Sequence, residues 1–142
     1  MSESCIFCKI VSGKVPVYKV YEDDNTLAFL DVHPLSKGHT LVIPKAHVRQ
    51  VEELSERNSE ALFKTVWKLT KYVQLATGTT SSLIGINNGP ESGQEIPHVH
   101  VHIIPRSRGD AGEPIHATMR YRPTVSKEEM QKIAENIRSA LR

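Results

Sequence analysis

Long apolar runs are missing from these 142 residues, and none approaches the roughly 18 consecutive positions that a membrane-spanning helix requires. Nor is there a block of like charge. Eighteen Lys and Arg face 16 Asp and Glu, for a net charge of +2, and the basic residues are scattered. A protein that holds nucleic acid mainly through backbone phosphates is therefore not expected. Cysteine occurs only twice, at Cys5 and Cys8. That excludes a disulfide framework and fits a reducing compartment. Met1-Ser2-Glu3-Ser4 carries an acid and no apolar stretch, so no secretory signal is expected and the predicted location is cytoplasmic, or also nuclear in a eukaryotic cell. Internal repeats and low-complexity segments are absent too.

What is present reads as one globular domain, with 39% hydrophobic and 24% charged residues. Ile6, Phe7 and Ile10 fit one amphipathic helical turn, closed by Ser12-Gly13-Lys14. Residues 18–21 and 26–31 flank the turn Glu22-Asp23-Asp24-Asn25 as a hairpin. Thr40-Leu41-Val42-Ile43 is a buried strand that Pro44 closes. From Ser55 the period changes: Leu62, Val66, Leu69, Val73 and Ala76 recur at helical spacing, with Ser55 as cap and Gly78 past the end. Phe63 and Trp67 widen that stripe and are expected in core or subunit packing. Residues 82–87 form a further strand, and Ser126-Lys127-Glu128-Glu129 opens a C-terminal helix bearing Met130, Ile133, Ile137 and Leu141. The order predicts an antiparallel α+β domain of about five strands, one long helix and a C-terminal helix.

Chemistry concentrates in His98-Val99-His100-Val101-His102-Ile103-Ile104. Alternation with period two predicts a strand with three imidazoles on one face, and Val99, Val101 and Ile103 turned into a core. Same-face neighbours lie roughly 7 Å apart, so the three rings span about 13 Å and do not easily share one ion. Imidazole can bind metal in its neutral form or attack phosphorus as a nucleophile, and both uses stay open. Cys5-x-x-Cys8 is either half of a zinc site or a redox pair; no strand precedes it as in a redox motif, and histidines are available to complete a Cys2His2 site. Spacing alone does not choose which. The loop from Asn87 to Gln94 offers backbone N–H groups and amide side chains suited to an anion, although an ordinary hairpin loop reads the same way.

The histidine run resembles the signature of the histidine-triad (HIT) family of nucleotidyl hydrolases and transferases. Cys5-Ile-Phe-Cys8, Leu27-Ala-Phe-Leu-Asp31, Gly38-His39-Thr-Leu-Val-Ile-Pro-Lys-Ala-His47 and Asn87-Asn-Gly-Pro-Glu-Ser-Gly-Gln94 resemble further family blocks in the same order. The resemblance implies a single HIT domain over residues 1–142, with its core at 5–106 and a C-terminal extension at 107–142. It implies His100 as nucleophile toward the α-phosphate of a purine nucleotide, His102 as phosphate or proton partner, and His39 in the proton network behind them. Asn87, Gly93, Gln94 and Glu95 would surround the phosphate, Asp31 would take the ribose, and Ile6, Phe7, Ile10, Phe29 and Val32 would wall the base. It further implies one structural zinc per chain on Cys5, Cys8, His47 and His98, and a homodimer, with neither nucleic acid nor membrane as a main partner.

Two departures bear on the substrate. Glu95 stands where a phosphate-binding Ser or Thr is usual, and the chain lacks the Gly-Trp-Pro ending of Hint-type phosphoramidases. Gly89-Pro-Glu-Ser-Gly-Gln94 is similar instead to the Fhit type, which cleaves dinucleoside polyphosphates. The expected substrate is an AMP phosphoramidate. Alternatives are a dinucleoside polyphosphate, a regulatory nucleotide binder without chemistry, and a zinc hydrolase using metal-activated water. Lys37, Lys45 and Arg106 are expected near the site, where they could raise its positive potential, although each alone reads as a solvated surface charge. His33 and His116 are expected as solvated loop residues.

Overall fold

The computed structural model describes residues 4–141. Helix α1 (Ile6–Val11) leads into strands β1 (Lys19–Glu22), β2 (Thr26–Leu30) and β3 (Thr40–Pro44). Helix α2 (Glu56–Thr77), β4 (Ser81–Gly85), β5 (Val101–Arg106) and α3 (Lys127–Ala140) follow. The five strands form one antiparallel sheet in the order β1-β2-β3-β5-β4.

Period-two alternation explains how this sheet is filled on both sides. From β2 and β3, Ala28 and Val42 face α2, where Leu62, Val66, Leu69 and Val73 meet Val99, Val101 and Ile103. Leu27, Phe29, Leu41 and Ile43 point the opposite way, into a second core with Cys5, Phe7, Cys8 and Ile10 of the α1 segment. Cover on both faces is why Thr26–Phe29 and Thr40–Pro44 are buried throughout and read as unbroken apolar runs. The histidines of the 98–102 run share the α1 side by the same alternation.

The ends of α2 follow local chemistry. Ser55 Oγ accepts from Asn58 N–H at 3.1 Å, and Gly78 takes the left-handed conformation, φ 67°. Ser126 caps α3 in the same manner, accepting from Glu129 N–H. Among the described residues no helix is long and apolar enough to cross a membrane.

Several expectations need correction. The ladder of the histidine segment begins at Val101, because His98 N–H is bonded to Ile96 carbonyl and Val99 N–H to Val48 carbonyl. Residues 98–100 lie outside the strand ladder, although the His98 side chain still reaches the Pro44 carbonyl at the end of β3. The strand expected over 82–87 ends at Gly85. Phe63 and Trp67 do not enter this chain's own core, Trp67 being 76% exposed, which leaves the subunit-packing alternative of that expectation. The chain forms two compact units that divide between Gly112 and Glu113. Near the end of the first, the Asp110 carboxylate accepts from Arg106 Nε, Ser107 N–H and Gly112 N–H. In the C-terminal unit, the stripe Met130, Ile133, Ile137 and Leu141 of α3 is exposed.

Candidate active site and metal centre

Four donor atoms from three separated segments meet beside α1. Cys5 is the N-cap of that helix, and its Sγ accepts from Cys8 N–H, which turns both thiols to one side. Cys5 Sγ lies 3.5 Å and Cys8 Sγ 3.7 Å from His98 Nδ1, and His47 Nδ1 lies 3.2 Å from Cys8 Sγ and 3.3 Å from His98 Nδ1. An ion held at metal–sulfur and metal–nitrogen distances of about 2.3 and 2.0–2.1 Å in a tetrahedron separates S from N by about 3.5 Å and N from N by about 3.4 Å. The residues thus fit tetrahedral zinc. His98 is fully buried and bonded through Nε2–H to Pro44 carbonyl at 2.8 Å, which leaves Nδ1 as the unprotonated donor. Burial holds its ring far below the ordinary imidazole range, at about 4, as a neutral metal ligand requires.

The other two histidines take different tautomers from their own partners. His100 Nδ1–H donates to His98 carbonyl at 2.8 Å, so Nε2 keeps its lone pair. Leu35 N–H donates to His39 Nδ1 at 3.1 Å, which places the proton of neutral His39 on Nε2. That proton goes to His102 Nδ1 at 2.8 Å, and the His102 proton must then sit on Nε2. His102 Nε2 is buried and has no hydrogen-bond partner among the described residues, so it is a donor awaiting an acceptor. Burial, reinforced by His100 and His39 and opposed by Asp31, holds His102 at about 4. Burial likewise lowers His39, with Asp31 Oδ2 at 3.7 Å opposing it. Asp31, His39 and His102 could be mistaken for a second metal site, since their donor atoms also cluster. A 2.8 Å N···N distance is a hydrogen bond, however, shorter than the roughly 3.4 Å between two nitrogens on one tetrahedral ion.

A cavity of about 700 Å³ opens on these rings. Ile6, Phe7, Ile10, Phe29 and Val32 wall it, and Asp31, His39, Asn87, Gly93, Glu95, His100 and His102 supply its polar lining. Phe7 stands edge-on to His98, His100 and Phe29, at 5.8, 5.1 and 5.7 Å between centroids. The same short helix therefore carries both thiols and an apolar cavity wall.

Gln94 is placed otherwise than expected. Its Oε1 accepts from Gly89 N–H, and its Nε2 donates to Arg49 and Ile96 carbonyls, so the amide pins the loop and does not line the cavity. The loop's N–H groups at Ser92, Gly93 and Gln94 are likewise spent on carbonyls within it. The basic residues lie elsewhere: Lys45 pairs with Glu22 at 2.9 Å, Arg106 with Asp110 at 2.7 Å, and exposed Lys37 is not in the lining. His116 is solvated as expected, but His33, although exposed, lines the cavity, as do Val15, Pro16, Val17, Leu35 and Ile96. Val15-Pro16-Val17 carried a usable signal, since an apolar, proline-stiffened stretch beside α1 must pack on something.

A structure of this kind belongs to the nucleotide-handling proteins with a histidine triad, and the comparisons agree. The HIT domain model matches residues 12–109. The adenosine 5'-monophosphoramidase of Schizosaccharomyces pombe is 40% identical over 139 residues, covering 98% of this chain and 99% of its own. A Streptococcus mutans crystal structure superposes with a TM-score of 0.89 at 37% identity, over 100% of this chain and 88% of that one. A zinc-bound histidine triad family protein from Mycobacterium smegmatis does so with a TM-score of 0.72 at 30% identity, over 96% and 97%. The chain belongs to the HIT family and is a nucleotide hydrolase.

Proposed function

We propose that this chain hydrolyses an adenosine 5'-monophosphoramidate-like substrate at its α-phosphate, through a nucleotidyl intermediate on His100. The carrying observation is the pair of tautomers: an unprotonated Nε2 on His100 beside a buried, partnerless Nε2–H on His102. His100 Nε2 forms a bond to phosphorus as the P–N bond breaks. The electron pair of that bond goes to the amine nitrogen, which picks up a proton from solvent and leaves, while His102 Nε2–H donates to a phosphate oxygen. Water then attacks phosphorus, the His100 N–P bond breaks, AMP departs, and the water proton passes to solvent. His39 fixes the His102 tautomer throughout, and Asn87 binds the phosphate oxygens. Asp31 uses Oδ1 to accept from His33 N–H at 2.9 Å, and the carboxylate has capacity left for a ribose hydroxyl.

Zinc on Cys5, Cys8, His47 and His98 is structural in this reading, because four protein ligands leave no open position for substrate. When bound it supplies a cross-link between α1 and the sheet. A homodimer is supported by the exposed aromatic pair Phe63 and Trp67 on α2 and by β4 at the sheet edge; sedimentation as a monomer at micromolar concentration would remove it. The central test is turnover of AMP phosphoramidate by wild type and His100→Ala. A loss of at least about a thousandfold is expected for removal of a nucleophile, and equal rates end the assignment.

A further inference from the structure

The charge inventory of the cavity wall is unusual for a phosphate site. Among the described residues its lining contains two carboxylates, Asp31 and Glu95, and neither Lys nor Arg. Lys45 and Arg106 are paired with Glu22 and Asp110, and Lys9 and the exposed Lys37, close in sequence to the site blocks, are not in the lining. His39 and His102 are held neutral by burial and add no compensating charge near pH 7. The phosphate is thus met by neutral hydrogen-bonding groups, and further negative charge on the substrate meets two carboxylates and the exposed imidazole of His33, with no Lys or Arg in the lining.

Of the two acids, Glu95 is the one free to read a leaving group. Asp31 accepts from His33 N–H, lies 3.7 Å from His39 Nε2, and its remaining capacity is assigned to the ribose. Glu95 follows the loop whose amide Gln94 is clamped between Gly89 N–H and the Arg49 and Ile96 carbonyls, so its backbone sits on a fixed support. Its side chain is exposed and still lines the cavity, which puts the carboxylate at the solvent rim. The apolar wall formed by Ile6, Phe7 and Phe29 suits the base, and the His100–His102 pair suits the α-phosphate. What remains for Glu95 is the group departing toward solvent. Specificity by charge acts through the repulsive member as much as the attractive one.

We propose that Glu95 is a charge filter on the leaving group, selecting nucleotidyl amines that carry a free ammonium and rejecting anionic polyphosphate leaving groups. This rests on the reading of His100 as a nucleotidyl carrier, deepens it, and decides against dinucleoside polyphosphates as the preferred class.

The test compares kcat/KM for three probes: AMP joined through nitrogen to diaminobutane, AMP joined to butylamine, and diadenosine tetraphosphate. The diaminobutane and butylamine probes differ only in a terminal ammonium. Wild type is expected to prefer the cationic amine over the neutral one by about tenfold at low salt, and the preference should shrink as ionic strength rises. Glu95→Gln should bring that ratio close to one. Glu95→Lys should invert it and raise diadenosine tetraphosphate relative to butylamine, whatever happens to the absolute rates. A wild-type ratio near one, or ratios that hold constant while all three rates fall together, overturns the filter and leaves the His100 chemistry standing. Failure of wild type to turn over any probe, with no AMP binding by calorimetry, removes the parent reading and the filter with it.

Discussion

The two faces of the sheet are built by the same strands and do opposite work. On the α2 side, Ala28, Val42, Val101 and Ile103 meet the apolar stripe of α2, and the buried hydroxyls of Thr26 and Thr65 bond to each other at 2.9 Å. On the α1 side, one residue along in each strand, the sheet meets a helix carrying two thiols, and the space beside it stays open as the cavity. Residues 98–103 belong to both, with histidines on one side and Val99, Val101 and Ile103 on the other. A one-residue register slip would exchange core for chemistry, so α2 packing is what aims the histidines.

Paired substitutions test this division most severely. Ile103→Ala, at a fully buried site on the α2 side, should cost about 2–5 kcal/mol in urea unfolding while leaving kcat per folded molecule near wild type. His100→Ala should reverse the pattern, removing activity with a small change in the unfolding midpoint. If each variant lost activity and stability in parallel, the faces would not be separable.

The metal site is the part of the α1 side that is expected to act on stability. Free zinc at a thousand times its dissociation constant adds about 4 kcal/mol, so chelation should lower the melting temperature by roughly 10 °C or more. His98→Ala should remove most of this zinc-dependent increment. A melting temperature indifferent to chelator, in protein with one zinc per chain by elemental analysis, would separate the metal from the fold.

Acid should also strike the α1 side first. His102 is held at about 4 in the folded protein against an ordinary 6.5. Below pH 6.5 protons therefore favour the unfolded chain. The contribution of this neutral ring is complete above that value and drains as pH falls toward 4. Between pH 7 and 5 the loss is about 2 kcal/mol. Urea midpoints across that range should flatten in His102→Gln, and an unchanged slope would deny the buried neutral ring.

Much of this is legible in the sequence. Alternation at 98–104 and helical spacing at 62–73 settle which residues face which layer, because a period of 2 or 3.6 is a property of the backbone. The order of segments placed Cys5, Cys8, His47 and His98 only through family resemblance; spacing by itself could not say which histidine turns toward α1. Gln94 shows the limit clearly. An amide in a glycine loop can grip a ligand or its own loop, and the carbonyls that decide, at Arg49 and Ile96, include one 45 residues away. Trp67 is a second case, since a helical stripe marks one face and does not state how wide the covered part is.

The smallest predicted effect lies where the two sides touch. Gly38 adopts φ 88°, a conformation that costs other residues roughly 1–2 kcal/mol, and a Cβ there would collide with the Thr77 methyl at the end of α2. The residue after it is His39, which fixes the His102 proton. Gly38→Ala should therefore destabilise the protein by about 2 kcal/mol and also lower kcat, because the strain falls on a segment shared by the α2 packing and the relay. Adding Thr77→Ser removes the colliding methyl and keeps the hydroxyl that donates to Val73 carbonyl, but it leaves the backbone strain untouched. The double variant should regain about 1 kcal/mol and part of the lost kcat. Recovery of stability without any recovery of kcat would mean that His39 is held by Leu35 N–H and Asp31 alone, and that the chemistry is insulated from the core behind it.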